Sequence, residues 1–71
     1  MNRVAAERKL INLTQVELAQ KLDVDPSTVV RWEGGGSIPQ DKLIEMRSTF
    51  CCDIDWILGV SDLRRTVGAA A

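Results

Sequence analysis

The sequence predicts an all-α fold, a compact domain of five short helices. Three observations carry this prediction. Apolar residues recur at three- and four-residue spacing, and no strand alternation persists. Helix starts are written at Thr14, which opens a T-x-x-E box, and at Asp25-Pro26. Stops follow at Asn12, Asp23, Gly34-Gly35-Gly36 and Gly59. At 71 residues there is room for a single domain. The reading is a domain over 1–65 and a flexible tail over 66–71, ending in alanines.

The first helix is expected from about Asn2 to Ile11, with Val4, Ala5, Arg8 and Ile11 along one face. Asn12 tolerates the left-handed conformation that ends a helix. The second begins after Thr14, whose hydroxyl and the Glu17 carboxylate satisfy orphan amides reciprocally. Leu18, Ala19 and Leu22 face inward, and Asp23 ends the helix. The third is capped by Asp25 and opened by Pro26, whose missing N–H is not needed there. Val29 and Trp32 should pack on the second helix. The fourth spans about Pro39 or Gln40 to Phe50, with Leu43, Met46 and Phe50 inward; Ser37 and Gln40 also fit a capping-box spacing. The fifth runs from about Ile54 to Leu58, capped by Asp53.

Thr14 to Glu33 therefore reads as two short helices joined by a tight turn. It leaves a polar face of Ser27, Thr28 and Arg31 on the outside of a compact support. A duplex major groove admits a helix presented this way.

Composition narrows the alternatives. A chain this short buries roughly 60% of its unfolded surface, so dimerisation would help its stability. Apolar content of 45% fits a globular chain. Phe50 is the only Phe and Tyr is absent, so Leu, Ile, Val and two Trp must fill the core. No apolar run approaches membrane-spanning length. Glu7, Arg8 and Lys9 stand where a signal peptide needs an apolar region, so a cytoplasmic protein is expected. His is absent, which removes the commonest general base and metal ligand. The adjacent Cys51 and Cys52 fit neither a disulfide framework nor a zinc site, and read as two reduced thiols; a redox-sensing pair is the alternative. No catalytic residue, metal, cofactor or small-molecule ligand is expected. The three glycines lack the Lys and strand context of a phosphate-binding loop. The formal net charge is −1. Arg3, Arg8, Lys9, Lys21 and Arg31 lie early in the chain, and Asp53, Asp55 and Asp62 lie late. Few phosphate contacts are therefore expected.

The series Arg8, Leu13-Thr14-Gln15, Glu17-Leu18-Ala19, Val24, Val29, Arg31-Trp32-Glu33, Gly35, Pro39 and Asp55-Trp56-Ile57-Leu58-Gly59 resembles the phage Cro/repressor-type helix-turn-helix family, lambda repressor-like or XRE. The resemblance covers about residues 2 to 60. It implies a five-helix domain whose third helix enters the major groove of a double-stranded DNA operator, usually from a homodimer. It implies that Gln15 touches the DNA backbone and buttresses the reading helix, and that Ser27, Thr28 and Arg31 read bases. It also implies a partly buried Arg8–Glu33 ion pair. Three features depart from the pattern. Pro26 replaces a polar reader. Gly36 replaces a frequent cation, leaving the phosphate clamp to backbone amides and the Ser37 hydroxyl. The overall balance is acidic.

Some roles stay open between chemistries. Arg31 can bind guanine O6 and N7 bidentately, contact a phosphate, or stand solvated. Ser27 and Thr28 can donate to bases or phosphates, and Thr28 can instead support its own helical turn. Lys42 is a candidate for a flanking phosphate. Asp25 reads as a cap. Ile54, Trp56, Ile57 and Leu58 crowd one and a half turns and cannot all face a small core, so some should form an exposed contact surface, with plain core packing as the competing reading. Because the family uses this region, Ile54, Trp56 and Ile57 are expected at a two-fold dimer interface. The rival to an operator-binding regulator is a protein-interaction or antitoxin-like module that keeps the fold with weak or no DNA binding.

Overall fold

The computed structural model describes residues 1–67. It contains α1 (Val4–Leu10), α2 (Gln15–Leu22), α3 (Pro26–Glu33), α4 (Gln40–Phe50) and α5 (Ile54–Ile57). The local signals set most of these limits. Thr14 accepts from the Glu17 amide while the Glu17 carboxylate accepts from the Thr14 amide, closing the capping box. Asn12 and Asp23 adopt φ of 59° and 56°, the left-handed geometry that ends α1 and α2. Asp53 caps α5 through the Trp56 amide at 2.9 Å. Two starts differ from expectation. α1 begins at Val4 because the Asn2 side chain turns back, accepting from the Val4 amide and donating to the Trp32 carbonyl. α4 has Pro39 at its cap and no side-chain cap bond, so no Ser37–Gln40 box forms.

The core is Val4, Leu18, Ala19, Leu22, Val29, Trp32, Met46, Phe50, Cys52 and Ile57. α2 and α3 form the most intimate helix pair, and α4 packs on α2 and α5. Two positions differ from the predicted faces. Ile11 is exposed, whereas Glu7 is buried with 2% of its surface accessible. Ile57 is fully buried, so it belongs to the core and has no surface to offer a second copy. A four-residue helix turns only one side inward, and Ile57 occupies it.

The expected tail boundary also moves. Thr66 forms an antiparallel bridge with Cys52, and the Val67 amide donates to the Cys51 carbonyl at 3.2 Å. The first two residues of the predicted tail are thus bonded to the body; residues 68–71 lie outside the described ones. Gly59 closes the other end. Its φ is 79°, and a Cβ there would collide with the Met1 carbonyl oxygen, so the amino-terminal segment seats only against glycine.

Candidate nucleic-acid interface

α3 is held on α2 by a turn with little freedom. The Val24 amide donates to the Ala19 carbonyl at 3.0 Å, and half-buried Val24 packs against the core. The Asp25 carboxylate meets the Ser27 amide at a long 3.5 Å, while its carbonyl accepts from the Thr28 amide at 2.8 Å. The backbone bond is the stronger lock on geometry alone.

Glu33 gathers the support through three hydrogen bonds from two residues. Arg8 Nε reaches one carboxylate oxygen at 2.7 Å and Arg8 Nη2 the other at 3.3 Å. Gln15 Nε2 donates to Glu33 Oε1 at 2.9 Å. Arg8 also donates to the Leu13 carbonyl, so one guanidinium spans the start of the helical pair and the end of α3. Both charged side chains are about nine-tenths buried, at 12% and 10% exposure. This pair orders the scaffold and leaves the outward side of α3 untouched.

On that side, Ser27 and Arg31 are exposed and Thr28 is half-buried at the edge. Val30, which a helical wheel drawn from Ser27 would also place there, is 51% exposed. Gly36 leaves room for the stem of Arg31: a Cβ at this position would lie 2.9 Å from both Arg31 Cγ and Arg31 O. The amides of Gly34, Gly35 and Gly36 donate to the carbonyls of Val30, Trp32 and Arg31. They are therefore spent within the helix end, and of the expected phosphate clamp only exposed Ser37 remains. Lys42 differs too. Its ammonium donates to the Leu22 carbonyl at 2.6 Å and to Glu45 at 3.1 Å, with 18% of the side chain exposed. It caps the carboxyl end of α2, where a cation complements the helix dipole, and its charge is neutralised by Glu45.

A family model described as helix-turn-helix matches residues 4–57. The chain belongs to the Cro/C1-type (XRE) helix-turn-helix family. Searches of curated proteins and of solved structures return no match. As a member of a DNA-binding regulatory family, this Cro/C1-type domain is a DNA-binding helix-turn-helix domain rather than a member of an enzyme family. Among the described residues no helix is long and apolar enough to cross a membrane.

The domain also carries a buried polar cluster that neither periodicity nor the family pattern announces. Glu7 accepts from Arg64 through two bonds of 2.9 and 2.8 Å and from the Trp56 indole at 2.8 Å. Arg64 donates further to the Phe50 carbonyl. The Arg64 hydrogen bonds hold the Glu7 carboxyl below its usual range against the opposing effect of burial; Glu7 in turn raises Arg64. Burial, with the Glu7 charge second, pushes the Cys52 thiol up to about 11. That fits an inert buried thiol, since reactivity requires the thiolate. Trp56 is half-buried and covered by the Arg3 guanidinium, 3.8 Å from its ring centre. The one sequence signal for Glu7 was its place three residues after Val4.

Proposed function

We propose that this chain is a transcriptional regulator of the phage or prophage repressor or Cro type, binding a palindromic operator as a homodimer with α3 in the major groove. The observation that carries the reading is the outward face of α3, where Arg31 stands exposed beside Gly36 while the opposite side, Val29 and Trp32, is sealed into the core. A guanidinium so placed suits a bidentate contact to guanine O6 and N7, with Ser27 beside it. Gln15 and Ser37 are the nearest candidates for phosphate contact; Thr28, half-buried at the edge, is a second hydroxyl for a base or a phosphate. The role on DNA implies residence with the DNA, in the cytoplasm.

The dimer reading rests on the surface around α5. Leu58, Val60 and Leu63 are exposed, at 37%, 76% and 60%, beside the exposed Met1. With half-buried Ile54 and the accessible part of Trp56, they make an apolar surface suited to self-complementary pairing. Half-sites would then lie about one helical turn apart.

Selection of duplexes from a random library tests this directly. The expected product is a palindrome, and Arg31→Ala should bind it about tenfold or more weakly while losing preference at one base pair. Recovery of no preferred duplex would overturn the reading. One observation favours a protein-interaction module instead: Arg3, Arg8, Lys42 and Arg64, four of nine cationic residues, are engaged within the chain. Failure to be retained on nonspecific DNA at low salt would support that second reading.

A further inference from the structure

The outward face of α3 is not wholly polar. At about 100° per residue, Ser27 lies nearly opposite the buried Val29 and Trp32, and Val30 and Arg31 flank it on either side. Val30 is thus next to the centre of the face, 51% exposed, while Val29 beside it is fully buried. Its β-branched side chain has one strongly preferred rotamer in a helix, so two methyl groups are held at a defined place. Whatever meets Ser27 and Arg31 also meets this apolar surface. Base edges in the major groove present donors and acceptors almost throughout; the apolar exception in unmodified DNA is the 5-methyl group of thymine.

We propose that Val30 is a specificity-determining residue that packs against the 5-methyl group of a thymine adjacent to the base contacted by Arg31. The proposal rests on the DNA-reading role given above and names part of the sequence read. Val30 then rejects cytosine at that position by the missing methyl as well as by the exchanged edge. The contact is neutral, so it adds selectivity without adding to the phosphate attraction that this acidic chain lacks.

The test uses the full chain and the selected duplex, with each thymine replaced singly by deoxyuridine. That change removes the methyl and keeps the pairing edge. One thymine per half-site should show a loss of about three- to fivefold in affinity, the scale of one methyl removed from water. Val30→Ala should bind the thymine duplex more weakly by a similar factor and show no further loss with deoxyuridine. The exposed site and the better helix propensity of Ala keep this variant folded; circular dichroism and thermal melting check it. Equal deoxyuridine penalties for parent and Val30→Ala, or no penalty at any thymine, would overturn the proposal while leaving DNA reading intact. Absence of duplex binding by the parent would overturn both.

Discussion

A glycine beside the outward face of α3 and a carboxylate in the core each have a measurable consequence. Gly36→Ala adds a methyl 2.9 Å from both the stem and the carbonyl of Arg31. Either the Arg31 stem or the glycine loop must shift, so operator affinity should fall about fivefold to tenfold, on the scale of one weakened bidentate contact. Gly34→Ala, whose Cβ meets only ordinary contacts at 3.5 Å, should bind like the parent; competition binding on one operator separates them. At Glu7 the consequence is pH dependence. Its carboxyl is held below the ordinary 4.5, so the stabilisation is complete above that value and is lost as pH falls through the lower folded value. Thermal melts should be level near neutrality and decline steeply below about pH 4.5. Arg64→Met leaves a carboxylate that is 2% exposed without its charged partner, bonded still to the Trp56 indole. It should cost about 2–3 kcal/mol at neutral pH, less than for a fully enclosed pair because Arg64 is 35% exposed. It should also remove the excess acid sensitivity; a constant offset between parent and variant from pH 3 to 7 would contradict this assignment.

Among the elements, α2 and α3 were the most legible because their ends are specified by chemistry acting within four residues. Thr14 with Glu17 and Asp25 with Pro26 need no knowledge of the rest of the chain. α1 was less so: beside Val4 its buried residue is a carboxylate, Glu7, whose partners Trp56 and Arg64 lie 49 and 57 positions away. Lys42 illustrates the same limit, since its partner at the end of α2 lies twenty positions away. α5 misled for a different reason. Four large apolar residues in one short run were rightly too many for one small core, but which of them turned inward depended on α4, and the buried one is Ile57. At this scale Arg8→Ala is the informative change. It removes the tie between α1, the Leu13 carbonyl and the end of α3, leaving Glu33 to Gln15 alone. A loss on the order of 3 kcal/mol is expected, or roughly 10 °C or more in a chain of this size. An unchanged melting temperature in calorimetry would show the pair to be ornamental.

For the whole molecule, the acidic balance understates how few cations remain for DNA. With Arg3, Arg8, Lys42 and Arg64 engaged internally, Lys9, Lys21, Arg31, Arg47 and Arg65 are left among the described residues. The dependence of log affinity on log salt should therefore be shallow, with about two to four ions released per protomer. A slope twice as steep would mean that the internal pairs open on binding. The molecule also extends beyond the span of the family match, which ends at 57, because Arg64 and Thr66 fasten the following segment to α1 and to the loop after α4. That fastening was illegible in sequence: it joins residues 57 positions apart through a side chain rather than through any periodic pattern.

The absence of Tyr leaves all near-ultraviolet emission to two indoles in unlike settings. Trp32 is sealed, 1% exposed, its ring nitrogen without a partner among the described residues, whereas the Trp56 ring nitrogen is bonded to Glu7. Trp32 is thus a built-in reporter of global unfolding. Trp56 reports release of the carboxyl-terminal segment, because losing Arg64 alters the charge beside its indole. Emission from a Trp32→Phe variant should change in acid before the helices melt, turning a structural clasp into an optical signal.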